Sequence, residues 1–275
     1  MNPVELALRR PALARDLVAL WRARELVAVL VRRELAGRYA GTAAGVVWPY
    51  LQPLLTVAAY YLVFDIVFSM RLGAGAPTHA VGTFLIVGAL PWMAFCDAVS
   101  RGMNSLLEAG GLLQKNSLPP VLFVTRSVLG SAVIFGPLLL LIVLVYTPLQ
   151  GIGTPLLAVP VLLLLQLCMV WLLAYLLAIL SAALRDTVQV VGFLLSVGIY
   201  LSPILFPLSM FPASWRWVLW LNPMTTTVVG LQSVLLQGVW PPLAVWGVSG
   251  LWLTCLAVVL NGVVARSRDQ LVDWL

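Results

Sequence analysis

Charge is what this sequence has least of. Asp, Glu, Lys and Arg make up 9% of its 275 residues and hydrophobic residues 62%, where a soluble domain carries about 25% charge. So little polar surface excludes a water-soluble globular enzyme, a disordered chain and a coiled coil. Lysine is reduced to Lys115 and histidine to His79. Three cysteines, Cys96, Cys168 and Cys255, lie far apart in apolar stretches without CxxC or metal-ligand spacing. That excludes a disulfide-stapled module and reads them as small buried hydrophobes. GxSxG, HExxH and Walker A sequences are missing; the nearest approach, Gly110 to Lys115, has the wrong spacing. Residues 127–184 and 217–265 hold no acid, base or histidine, so nothing marks a proton relay or a membrane-embedded catalyst. The expected class is an all-α membrane protein. Apolar runs that are continuous rather than alternating exclude a β-barrel.

What is abundant is the long uncharged run. Residues 39–64, 72–96, 127–184, 187–215 and 217–265 carry no charge, and a bilayer core of about 30 Å takes roughly 20 apolar residues as helix. The 58-residue run divides at the turn-rich stretch Thr147 to Pro155, and the 49-residue run at Trp240-Pro241-Pro242. The spacing predicts six transmembrane helices near 45–68, 81–101, 121–146, 155–182, 188–206 and 243–265. Placing both termini in the cytoplasm puts fourteen Arg and Lys inside and only Arg71 and Arg216 outside, the asymmetry that sets orientation. The net charge of +6 therefore belongs to membrane boundaries, not to a nucleic-acid surface. The whole chain, 1–275, reads as one transmembrane domain: a cytoplasmic arm 1–40, spans one to five in 41–206, an extracytoplasmic segment 207–242, span six at 243–265 and a cytoplasmic tail 266–275.

Three segments are not simple spans. In the arm, Leu13, Leu17, Leu20, Trp21, Val27, Val31 and Leu35 recur at helical spacing among Arg and Glu, the pattern of an amphipathic interface helix. Glu5 with Arg9 and Glu34 with Arg38 add i,i+4 pairs. The loop from Gly102 to Pro120 reads as a short helix, a break at Gly110-Gly111 and another short helix. Between Pro203 and Pro242 six prolines interrupt an apolar segment whose only charge is Arg216. Irregular backbone at membrane depth persists only where protein buries it or water fills a cavity, so two short re-entrant helices are expected, near 213–221 and 224–238. Trp215, Trp217, Trp220 and Trp240 are expected at headgroup level. Asp97 stands four residues before Arg101, the spacing of a local ion pair. Gly41 and Gly45 form a small-xxx-small face at the start of span one.

Aromatic residues crowd span one, with Tyr60, Phe64 and Phe68 on one i,i+4 stripe; Trp171 and Tyr175 repeat that spacing in span four. Such faces suit the C–H faces of sugar rings, lipid contact and helix packing alike.

The run Arg32-Arg33-Glu34-Leu35-Ala36-Gly37-Arg38-Tyr39, followed by Gly45-Val46-Val47-Trp48-Pro49-Tyr50-Leu51-Gln52-Pro53-Leu54, resembles the permease subunits of type-2 ATP-binding-cassette exporters for polysaccharides: O-antigen, teichoic acid and capsule. Leu90-Pro91-Trp92, Ser100-Arg101-Gly102-Met103-Asn104-Ser105-Leu106 and Leu221-Asn222-Pro223-Met224 continue the match in order. Around Lys115 the chain departs from it, lacking a second basic residue and an aromatic before Pro119. The resemblance implies a homodimer in the bacterial inner membrane, two copies of a separate ATPase that bind ATP and Mg, and a lipid-linked polysaccharide as cargo, with O-antigen the best fit. This chain would then be no enzyme and hold no cofactor or metal. The resemblance also implies an ATPase-docking set of Arg32, Arg33, Glu34, Arg38, Glu108, Lys115, Arg185 and Asp186. Trp48, Tyr60, Tyr61, Phe64, Trp92, Trp171 and Tyr175 become the implied substrate channel. Two other readings are a membrane-embedded enzyme acting on lipid-linked sugars and a type-2 permease for a drug or lipid.

Overall fold

A computed structural model of the chain describes residues 11–38, 41–42, 45–73, 76–116, 118–151, 153–268 and 270–275. Glu5, Arg9, Tyr39, Ala43 and Ala44 lie outside the described residues. The architecture is helical; among the described residues strand pairing is confined to one bridge, Arg71 with Ala80.

The amphipathic arm is two helices, α1 (Ala12–Arg22) and α2 (Arg24–Arg38), broken at Ala23. Val27 and Val31 of α2 pack on Leu122. Gly41 and Gly45 both take positive φ, +80° and +50°, and a Cβ on either would meet no described residue within 4 Å. They are turn glycines ahead of span one, not the helix-contact face expected from their spacing. Span one then runs as α3 (Trp48–Tyr60) and continues as a π-helical turn, Tyr61–Val67. In the widened turn the Asp65 carboxylate accepts the Gly82 N–H at 2.9 Å. That satisfies one of the orphan donors at the start of the next helix and sets a negative charge at its positive end. A Cβ on residue 82 would lie 2.6 Å from the same carboxylate, so glycine is what lets the cap close.

The next helix, α4 (Val81–Lys115), is the axis of the molecule. Its 35 residues rise about 50 Å, well beyond a hydrocarbon core of about 30 Å. The expected Gly break is therefore absent: span two and the loop after it are one helix. Two glycines cost only about 2 kcal/mol against alanine, and Gly110 is buried against the Leu275 backbone, so packing outweighs propensity. Around α4 stand α5 (Val121–Gln150), α6 (Ala158–Ala183) and α9 (Met224–Gln237). Phe84, Val87, Val99 and Leu106 are fully buried on its several faces. Outside this group, α10 (Leu243–Ser267) packs on α6 and α9, and α11 (Leu271–Trp274) closes against α6 and α4.

Among the described residues, five helices are long and apolar enough to cross a membrane: Trp48–Val67, Val81–Lys115, Val121–Pro148, Thr154–Ala183 and Leu243–Ser267. Predicted span 188–206 differs. Helix α7 covers only Asp186–Gly198, thirteen residues, and the chain turns through 199–206. Pro203 and Pro207 explain the early end, since each removes a ladder N–H. Both short helices expected after it are present, one as a 3-10 turn Ala213–Trp215 leading into α8 (Arg216–Leu219) and the other as α9. Trp215, Trp217 and Trp240 are exposed. The cysteines differ from the reading as buried hydrophobes: Cys96 is half-buried, while Cys168 and Cys255 are exposed.

Candidate functional site

The charges of the resemblance motif divide by direction. Arg32 and Arg33 point outward, whereas Glu34 and Arg38 turn toward α4 and α5. Arg38 Nη2 donates to Glu34 Oε1 at 2.6 Å, the i,i+4 pair expected from the spacing. Arg38 Nη1 also lies 3.8 Å from Asp97 Oδ2 on α4. Asp97 in turn accepts Arg101 Nε at 2.7 Å, again as expected, and the Ser131 hydroxyl of α5. Glu34 Oε2 accepts the Ser127 hydroxyl at 3.2 Å and faces Arg126 Nε at 3.5 Å. Five charges from three helices thus share one site, and Gly130, lacking a side chain, makes room for the Arg38 guanidinium. Glu34 and Arg38 are consequently not free docking groups. The other six docking candidates, Arg32, Arg33, Glu108, Lys115, Arg185 and Asp186, are exposed. Arg185 and Asp186 lie at the entry of α7, and Lys115 ends α4.

The seven channel candidates do not form one surface. Tyr60, Phe64 and Phe68 do stack along α3 and its π turn, with ring centroids 6.3 and 6.4 Å apart. Trp48 and Tyr61 are exposed on the same element. Trp92 and Tyr175, by contrast, retain only 6% and 2% exposure. The Trp92 ring lies over Gly198 so closely that a Cβ there would sit 2.6 Å from it. Trp171 donates its indole N–H to Thr125 Oγ1 at 2.8 Å, and the Tyr175 hydroxyl donates to Asp16 Oδ2 at 2.9 Å. Trp92 thus joins α4 to α7, Trp171 joins α6 to α5, and Tyr175 joins α6 to the arm; Trp92 and Tyr175 are buried by these contacts and Trp171 is half-buried. Helical periodicity places residues on stripes but does not say which stripe meets a neighbour.

Two polar positions that hold elements together were not singled out from the sequence. Asp16, a charge on the apolar stripe of the arm, is 5% exposed; it takes hydrogen bonds from Tyr175 and, at 2.6 Å, from Arg268 Nη2. Asn222, noticed only as part of a motif, joins the broken end of α7 to α9. Its Oδ1 accepts the Met224 N–H at 3.0 Å while its amide donates to the Gly198 carbonyl at 3.1 Å. An Asn immediately before a Pro and a polar helix start was the available signal for such a cap. Helix α9 is buried at twelve of its fourteen positions, Thr225, Thr226 and Gln232 included. Those polar groups bond locally or, for Gln232, to the Pro203 carbonyl at 2.8 Å. Helix α9 and the turn at Pro203 are therefore held in protein, whereas most of 209–217 is exposed.

Residues 25–236 match the family model described as ABC-2 type transporter. The chain is 30% identical over 223 residues to the O-antigen export system permease protein RfbA of Myxococcus xanthus, across 79% of this chain and 83% of that relative. Two proteins of the same description from Klebsiella pneumoniae are 23% and 22% identical, over 78% of this chain and 81% and 82% of their own lengths.

Proposed function

Since this chain belongs to the ABC-2 type transporter family, as a multi-pass membrane permease, we propose that it exports a lipid-linked polysaccharide, O-antigen in the first place, across the bacterial inner membrane. The observation that supports the cargo assignment is the likeness, over 79% of this chain, to a protein described as an O-antigen export system permease. The energy comes from two copies of a separate ATPase that bind ATP and Mg; this subunit is the conduit and performs no hydrolysis itself. Both termini face the cytoplasm, on the arginine asymmetry. A sixth crossing is completed by α7: thirteen helical residues rise about 20 Å, and the turned segment 199–206 supplies the remainder of a core of about 30 Å.

Two permeases pair around the cargo path. Span one supports this reading, because most of it is left uncovered by the rest of the chain, including Trp48, Tyr61 and Phe68. The proposed channel surface is Trp48, Tyr60, Tyr61 and Phe64, whose rings offer sliding contact to sugar C–H faces. The proposed ATPase-facing set is Arg32, Arg33, Glu108, Lys115, Arg185 and Asp186, with the Glu34–Arg38–Asp97 network behind it passing movement from the arm to α4 and α5.

The deciding experiment co-expresses the chain with its ATPase in cells lacking another exporter and inactivates ATP hydrolysis in the partner. Surface polysaccharide is expected to disappear while the permease stays at normal abundance. Uphill transport by the purified chain alone would sink the proposal. Replacing Tyr60, Tyr61 and Phe64 together by alanine tests the channel. Three ring contacts at about 0.5 kcal/mol each amount to a roughly tenfold slower export; unchanged export at normal expression removes α3 from the path.

A further inference from the structure

Where the arm meets the ends of the spans there is a cavity of about 440 Å³, walled by α1, the end of α4, the turn into α5, α6, α10 and α11. Its lining is mostly apolar, Ile179 and Val264 among it, and its charged groups are Arg15, Asp16 and Arg268. Asp16 is engaged at both oxygens: Oδ1 accepts Arg268 at 2.6 Å, and Oδ2 accepts the Tyr175 hydroxyl at 2.9 Å. Arg15, the adjacent residue, makes no ion pair with any described residue, and its Nε is buried without an acceptor. Arg15 is thus the one arginine lining these apolar walls that has no ion pair among the described residues.

We infer that this cavity binds the phosphodiester headgroup of an anionic bilayer lipid, with a phosphate oxygen on Arg15 and the glycerol and first acyl carbons along the apolar wall. A monoanion matches the one lining arginine that has no ion pair among the described residues. A fully hydrophilic anion would leave the apolar lining uncovered, and a neutral lipid would leave Arg15 unanswered. The position agrees, since an amphipathic arm lying in the interface plane brings its inward side to headgroup depth. Asp16 holds α1 and the end of α10 together as the frame of the site, and Arg15 supplies the recognition. The inference does not depend on the cargo, because binding is read without export.

The test adds short-chain phosphatidylglycerol, phosphatidylcholine or inorganic phosphate to the full-length protein in neutral detergent. Retained lipid is counted by native mass spectrometry, and thermal stability is followed alongside. Phosphatidylglycerol is expected to be retained and to raise the melting temperature, while phosphatidylcholine and phosphate at millimolar concentration do neither. Arg15→Gln should weaken phosphatidylglycerol binding about tenfold, the loss of one charge-assisted hydrogen bond. Arg15→Lys, which keeps the charge, should retain a measurable part of the binding and guards against misreading a folding defect. Arg24→Gln, an exposed arginine stacked over Trp21, should bind as the parent does. Equal retention by Arg15→Gln overturns the site, and protection by inorganic phosphate alone overturns the lipid assignment.

Discussion

Asp97→Ala is expected to lower the stability of the purified protein by about 2–4 kcal/mol. The charge arithmetic around it is the reason. Arg38, Arg101 and Arg126 face Glu34 and Asp97; without Asp97, three cations share one acid. Arg38, with a side chain only 6% exposed, then keeps a single partner, and the Ser131 hydroxyl loses its acceptor. Removing one member of a buried ion pair costs about 3–5 kcal/mol. The estimate is set lower because Arg101, at 38% exposure, turns toward water. Adding Arg101→Ala should change this by no more than about 0.5 kcal/mol, because that side chain already reaches water. Thermal denaturation in detergent reads both changes. A single variant that melts with the parent would mean that the network is surface decoration, worth the near-zero of exposed pairs.

The second large effect is expected at Gly102, where α4 and α6 touch. A Cβ on residue 102 would lie 2.6 Å from Ala174 Cβ and 3.3 Å from Val128 Cγ2, against an optimal carbon separation of about 3.5–4.0 Å. Ala174 is fully buried and its Cβ has no rotamer to change. Gly102→Ala must therefore push the two helices apart by about 1 Å, at a cost of roughly 1–3 kcal/mol, and strain the nearby bond from Ser181 Oγ to the Met103 carbonyl. Gly102→Ala combined with Ala174→Gly should restore most of the loss, because the methyl group has only changed sides. Thermal midpoints of the three proteins decide the matter. A harmless Gly102→Ala, or a double variant no better than the single, would contradict the close approach.

These two sites show how far a sequence reads. The Asp97–Arg101 and Glu34–Arg38 pairs were legible because i,i+4 neighbours meet on any helix, whatever it packs against. That the pairs belong to one network was not legible, because Ser127, Ser131 and Gly130 come from a helix some ninety residues away from Glu34. Gly102 appeared as one letter of a motif; its reason is a contact with Ala174. Trp171 and Tyr175 sat on one stripe as expected, yet that stripe turned inward to Thr125 and Asp16.

The composition and the uncharged runs determined that this chain is a helical membrane protein, where its long helices lie, and which end gathers the arginines. Each of those follows from transfer between water and hydrocarbon, which adds up residue by residue along a segment. Tertiary structure alone decided that α4 continues through Gly110-Gly111, that Asp16 is buried while Arg32 is not, and which aromatics remain uncovered. A lipid phase is as apolar as a protein core, so hydrophobicity cannot tell a packed face from a lipid face. That choice is made by shape and by polar groups brought together from distant parts of the chain.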